Sequence, residues 1–229
     1  MEIKESFSQI FERISDACKR VGRDPAEVRL VAVSKTITPD IIMEAYGVGQ
    51  RDFGENRAQD FRDKARVLPA DIQWHFIGHL QSNKIKYVVP KAILIHSVDS
   101  WELAQALSEY CSKHSRQSKI LLQVNTSGEV SKFGIAPDKA KEIFLRIYEE
   151  LPNISLQGLM TMAPLTDNEK TIRSTFKALK QLQEKLGSRV KEEVVSILSM
   201  GMTHDFEIAI EEGSTMVRIG TALFGNIRR

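Results

Sequence analysis

The sequence predicts an α/β fold, a single (β/α)8 TIM barrel over residues 1–229 with an extra helix at its N-terminus. Three observations carry that expectation. Eight short runs rich in branched apolar residues recur along the chain, and each is followed by an amphipathic stretch. A chain of 229 residues is long enough for one such barrel, and no Pro/Gly/Ser linker divides it. An open doubly wound sheet would leave edge strands among the eight, and no Gly-x-Gly-x-x-Gly fingerprint follows the first run.

In order, Ile3, Phe7, Ile10, Phe11 and Ile14 recur at helical spacing and predict a helix over about 3–20, which Gly22 and Pro25 stop. Strands are expected at 28–35, 52–55, 74–79, 93–98, 120–125, 155–161, 194–199 and 215–219. Helical stretches lie near 39–47, 57–67, 81–89, 100–115, 137–150, 168–187 and 204–212. Thr38-Pro39-Asp40 and Ala136-Pro137-Asp138 are helix starts, with proline at the first helical position.

Composition removes several function classes. The net charge is +2 with both signs interspersed and aromatics sparse, so no nucleic-acid surface is expected. Two cysteines, Cys18 and Cys111, at unrelated spacing predict neither a disulfide framework nor a zinc site and fit a reducing compartment. The N-terminus has no signal pattern and no apolar run approaches the about 20 residues that span a bilayer, so a soluble cytoplasmic protein without a membrane role is expected.

In a barrel the chemistry gathers after the strand C-termini. Lys35 closes the first run; alone it reads best as a solvated lysine at a strand end, the other reading being an amine whose pKa burial lowers for Schiff-base formation. The second strand runs into Gly54-Glu55-Asn56-Arg57, the third ends at Gly78-His79, and the sixth ends at Met160-Thr161-Met162. The seventh runs into Ser199-Met200-Gly201-Met202-Thr203, and the eighth carries Arg218-Ile219-Gly220-Thr221. Gly201 and Gly220 permit close approach of an oxyanion, Ser199, Thr203 and Thr221 offer hydroxyls, and Thr221 can open a short helix with free N–H groups. One such turn would be no more than a tight turn; two on adjacent strands favour a phosphate cup. Closure sets the eighth strand beside the first, so the cup neighbours Lys35, the geometry that pyridoxal phosphate requires. Strand alternation puts Met216, Arg218 and Gly220 on one face, and if that face is inward Arg218 can meet the pyridine nitrogen. The rival role for Arg218 is a structural pair with a carboxylate such as Glu55.

Val-Ala-Val-Ser-Lys-Thr (31–36), Phe-Gly-Glu-Asn (53–56), Trp-His-Phe-Ile-Gly-His-Leu-Gln-Ser-Asn-Lys (74–84), Gly-Leu-Met-Thr-Met (158–162), Leu-Ser-Met-Gly-Met (198–202) and Gly-Ser-Thr-Met-Val-Arg-Ile-Gly-Thr-Ala-Leu-Phe-Gly (213–225) together resemble the pyridoxal phosphate homeostasis proteins. The resemblance spans nearly the whole chain. It implies a fold-type III barrel like the N-terminal domain of alanine racemase. It also implies one pyridoxal 5′-phosphate held as an internal aldimine, a role in cofactor homeostasis without established turnover, apo pyridoxal-phosphate enzymes as transient clients, and a monomer. Carried onto this chain, it makes Lys35 the aldimine lysine, sets Ser199, Gly201, Gly220 and Thr221 on the phosphate, and points Arg218 at the pyridine nitrogen. Asn56 would lie beside the ring, with His79 and Met160 lining the pocket.

Other residues take plainer readings. His75 and His79 share a strand face but lack a third metal ligand, and His96 reads as a satisfied structural histidine. Lys132, in the loop after the fifth strand, belongs on the same rim as Lys35, where solvent exposure without a role is the better reading. The rival function is a weak amino-acid racemase. Such enzymes need a second domain and a tyrosine base; the sequence ends soon after the eighth strand, and Tyr46, Tyr87, Tyr110 and Tyr148 all fall in helical segments.

Overall fold

In the computed structural model, which describes residues 2–129 and 133–225, eight parallel strands close into a barrel in sequence order. Lys132 lies outside the described residues. The strands are β1 (Arg29–Val33), β2 (Asp52–Glu55), β3 (Gln73–Phe76), β4 (Ala92–Val98), β5 (Ser118–Gln123), β6 (Ile154–Met160), β7 (Ile197–Ser199) and β8 (Met216–Ile219). The β1–β8 seam is a regular parallel ladder from Arg29↔Met216 to Ala32↔Ile219. Closure leaves no sheet edge to protect, which is why these strands can be short.

Helix α1 (Ile3–Arg20) precedes the barrel. The strands are followed by α2 (Pro39–Gly47), α3 (Ala58–Val67), α4 (Ile85–Val88), α5 (Trp101–Lys113), α6 (Pro137–Glu150), α7 (Glu169–Gly187), α8 (Phe206–Glu211) and α9 (Thr221–Phe224). The extra helix buries Ile3, Phe7, Ile10 and Ile14, and Phe7 meets Phe224 of α9 edge-on at 6.2 Å. Its outer face is clamped by Arg13 and Arg20 to Glu207 and Glu211 of α8.

Two packed layers result. A large core fills the space between strands and helices, while Val31, Leu94, Leu121, Met160 and Met216 form a separate cluster inside the barrel. Expected and observed bounds agree for the strand over 52–55. The first strand stops at Val33, because Ser34 and Lys35 belong to a turn, and the third stops at Phe76. The seventh shrinks to three residues because Glu192–Val194 is a 3-10 turn. The expected helix over 81–89 divides into a 3-10 turn, Ser82–Lys84, and α4.

Local signals account for the helix starts. Pro39 and Pro137 open α2 and α6, and Ser100 caps α5 by accepting a hydrogen bond from Leu103 N–H at 3.2 Å. Ser100→Ala is expected to cost about 1 kcal/mol, read as a lower urea midpoint at an unchanged slope.

Candidate functional site

A cavity of about 390 Å³ opens at the C-terminal mouth of the barrel. Lys35, Asn56, His79, Arg218, Gly220 and Thr221 line it, together with Gln123, Met162, Thr203 and His204. A larger surface cavity, about 600 Å³, lies among Arg23, Glu27, Lys180 and Glu184 and receives nothing from the strand C-termini. The mouth is where a barrel converges groups from many strands, and here it unites an amine, a guanidinium and open backbone donors.

Lys35 sits one residue past Ser34, in a turn closed by Ile37 N–H donating to Ser34 O at 3.0 Å. It is exposed, so the burial considered from the sequence is absent; the strand ends two residues earlier and the turn carries the amine out to the rim. Thr36 then adopts φ 66°, a conformation that a β-branched residue holds only under constraint. The constraint is visible. Lys64 Nζ donates to Ser34 O at 2.8 Å and to Glu55 Oε1 at 2.7 Å, and Ser34 Oγ donates to that same Glu55 oxygen at 2.6 Å. Glu55 is fully buried and burial pushes its carboxyl up, against the pull of Lys64. Its Oε2 has no hydrogen-bond partner among the described residues.

Arg218 is buried on the inward face of β8, above Met216, and reaches the cavity as strand alternation predicts. Its Nη1 donates to Ser199 Oγ at 2.6 Å and its Nη2 to Thr161 O at 3.0 Å. Glu55 is not its partner; Lys64 and Ser34 hold that carboxylate through Oε1. Burial pushes the guanidinium down to about 10, with Asp205 opposing the shift, so it stays cationic at neutral pH. No hydrogen bond among the described residues takes its Nε.

Across the seam, Gly220 approaches Val33 so closely that an added Cβ would lie 3.2 Å from its carbonyl oxygen. The N–H groups of Gly220 and Thr221 have no hydrogen-bond partner among the described residues, and the hydroxyls of Thr203 and Thr221 stand beside them. On the opposite wall His79 pairs with Asp99 at 3.1 Å and stacks on Phe133 at 4.2 Å.

Three sequence-predicted site residues do not reach the cavity. Met160 is buried in the interior cluster one layer below, and Met162 takes the wall position. Ser199 is fully buried, its hydroxyl committed to Arg218 and to His96 Nδ1 at 2.9 Å. Gly201, at φ 97°, packs against α8, where a Cβ would come within 2.6 Å of Ala209 Cβ. His75 and His79 do not act together either: His75 points into the barrel while His79 lies beyond the strand end. The Ser34–Glu55–Lys64 brace escaped the sequence reading, although a glutamate at the end of a buried strand signals that a cation must answer it.

A closed barrel whose mouth gathers a lysine, an arginine and unpaired backbone donors defines a class, and the alanine racemase N-terminal domain family matches residues 7–227. The chain belongs to the pyridoxal phosphate homeostasis protein family. It is 44% identical to a pyridoxal phosphate homeostasis protein of Aquifex aeolicus over 98% of each chain, and 41% identical to one of Homo sapiens over 93% of this chain and 82% of that one. Among solved structures, PipY of Synechococcus elongatus with PLP bound superposes with TM-score 0.83 at 35% identity, covering 98% of this chain and 100% of that one. An alanine racemase of Clostridium difficile, at 15% identity and TM-score 0.76, covers 100% of this chain and 57% of that one and shares the fold. Among the described residues no helix is long and apolar enough to cross a membrane.

Proposed function

We propose that this protein binds pyridoxal 5′-phosphate covalently through Lys35 and serves cofactor homeostasis by holding and supplying it, without turnover of its own. The observation that carries the reading is the convergence of Lys35, Arg218 and the unpaired N–H groups of Gly220 and Thr221 on one cavity of about 390 Å³. The fit rests on chemistry: an amine for an aldehyde carbon, backbone and hydroxyl donors for a phosphate, and a guanidinium for a ring nitrogen. When bound, the cofactor supplies an electron sink, and this chain damps it. Arg218 can only donate, so the nitrogen it meets stays an unprotonated acceptor. Asn56 flanks the cavity and His79 closes its rim, while the supply of cofactor is directed to apo-enzymes that lack it.

The tyrosine base expected of a racemase does not stand at the mouth: the four tyrosines lie on α2, α4, α5 and α6, none of them lining the cavity. Mixed with pyridoxal phosphate and freed of excess by gel filtration, the protein is expected to retain a visible absorption band. It should then restore activity to an apo-enzyme while leaving L-alanine optically unchanged. A protein that stays colourless under these conditions would sink the reading, and sustained racemisation would replace it with the enzymatic one.

A further inference from the structure

A line of buried polar side chains runs along the inside of the barrel and ends on Arg218. Asp52 Oδ1 lies 2.8 Å from His75 Nε2, His75 Nδ1 lies 2.9 Å from His96 Nε2, and His96 Nδ1 lies 2.9 Å from Ser199 Oγ. Ser199 Oγ in turn accepts from Arg218 Nη1 at 2.6 Å. Each link comes from a different strand: β2, β3, β4, β7 and β8. His75, His96 and Ser199 are fully buried, in an interior otherwise filled by Val31, Leu94, Leu121, Met160 and Met216. An apolar filling would satisfy packing alone, so this polar file calls for a cause.

The donors and acceptors allow one direction. Arg218 can only donate, and the Asp52 carboxylate can only accept. Ser199 Oγ accepts the hydrogen bond of Arg218 Nη1–H, so its own O–H is free to donate to His96 Nδ1. The hydrogen of His96 then sits on Nε2 and donates to His75 Nδ1, and the hydrogen of His75 sits on Nε2 and donates to Asp52. Reversing the chain would leave the Ser199 hydroxyl hydrogen without an acceptor and set a His75 lone pair against the Asp52 carboxylate. Both imidazoles are therefore neutral, in the same tautomer. Their surroundings agree: burial lowers His75 against the pull of Asp52, and burial first, then the nearby Arg218 charge, takes His96 well below the ordinary range. Other charged groups beside the file are Arg29, 3.5 Å from Asp52, with Asp71 and Lys119 lining the cavity that His75 borders, and Asp205, whose attraction acts on Arg218.

We propose that Asp52, His75, His96 and Ser199 form a one-way hydrogen-bond relay through the barrel that fixes the Arg218 guanidinium and orients its open Nε–H toward the cofactor ring. Asp52, His75 and His96 are thereby positioning residues of the mouth, although none of them lines it. His75 borders a second cavity, of about 380 Å³, at the opposite end of the barrel with Arg29, Gln73 and Lys119. The relay thus connects the two ends of the barrel. Among the described residues Arg218 has no carboxylate in hydrogen-bond contact, and the distant Asp52 answers its charge through the polarised chain.

The part that concerns the ring rests on the proposed cofactor reading; the direction of the relay does not. Nitrogen-15 NMR of the histidine side chains in the ligand-free protein tests the direction alone. Two of the five histidines are expected to carry hydrogen on Nε2 and to stay neutral from about pH 8 to about pH 6. Assignment of His75 or His96 to the Nδ1–H form, or its ordinary titration in that range, overturns the proposal. Asp52→Asn and His96→Phe then test the consequence for the loaded protein. Each is expected to weaken pyridoxal phosphate binding about tenfold and to change the pH profile of its absorption band, with Asp52→Glu restoring both. A lowered melting temperature with unchanged affinity and spectrum would make the chain merely structural and overturn the positioning role. If His96→Phe fails to fold, Asp52→Asn, at the half-buried end of the file, decides. Should the unmodified protein take up no cofactor, the reading of the mouth fails, and the tautomers still decide the relay.

Discussion

Replacing Lys35 by alanine is expected to give a folded protein that no longer holds pyridoxal phosphate covalently. Borohydride treatment of the loaded parent should fix one pyridoxyl group on Lys35, and the variant should take up none, as peptide mass analysis would read. Lys35 is exposed, makes no ion pair among the described residues and belongs to a turn rather than to a packed strand, so the change in stability should fall within about 0.5 kcal/mol. That separation of effects makes the test sharp, because the tether is lost while the barrel, Arg218 and the Gly220–Thr221 donors stay in place. Lys35→Arg is the complementary change. It keeps a cation at the rim but cannot condense with an aldehyde, since a guanidinium is not a nucleophilic amine at neutral pH. If Lys35→Arg holds the cofactor through reduction, the attachment lies elsewhere and the reading of the mouth is wrong. If both variants retain weak reversible binding, the remainder measures what the phosphate donors and Arg218 contribute without the bond.

The fold was legible because a closed parallel barrel writes each strand as a short apolar run between amphipathic stretches, and eight of them survive in this chain. Bounds slipped where tertiary contacts end a strand earlier than its composition does. Val33 is followed by the buried Ser34, which reads as strand but is turned by its bonds to Glu55 and Lys64. The site was legible at the level of faces and illegible in depth. Alternation along β8 correctly pointed Met216 and Arg218 inward, yet it cannot tell which inward residue reaches the mouth. Strand tilt and stagger decide that, and they follow from closure rather than from any one strand. Met160 and Ser199 are inward-facing and one tier too deep; Met162 and Thr203, two and four residues further along, reach the cavity. Hydrogen bonding adds what residue type cannot show. Ser199 looks like a phosphate ligand by type, and in the folded chain its hydroxyl is shared by Arg218 and His96; only the assembled barrel brings those three strands together.

Lys64→Met is expected to cost about 3 kcal/mol at about pH 8, because it leaves Glu55 as a buried carboxylate with no cation. Lys64 is nearly buried and Glu55 completely so, at 2.7 Å, which puts the pair outside the class of surface ion pairs that contribute little. Methionine keeps the length and apolar stem of lysine, so the loss is electrostatic rather than a cavity. The sign of the pH dependence follows from the carboxyl. Burial already raises Glu55 above its ordinary 4.5, and removing Lys64 removes the largest influence that lowers it. A carboxyl raised in the folded state binds its proton more tightly there than in the unfolded chain. Its stabilising contribution is complete below about 4.5 and is lost as pH rises through the folded value. The deficit of the variant should therefore be smallest near pH 4.5 and grow toward about pH 8, as urea unfolding at the two ends would show. A deficit independent of pH would mean that Glu55 stays protonated throughout and that Lys64 acts only through its bond to Ser34 O. The same variant loosens the turn that carries Lys35, since one of the two anchors on Ser34 is gone and Thr36 at φ 66° loses part of what holds it there. Cofactor attachment should thus slow in Lys64→Met even at low pH where the fold is intact. Unchanged attachment would assign the brace to stability alone.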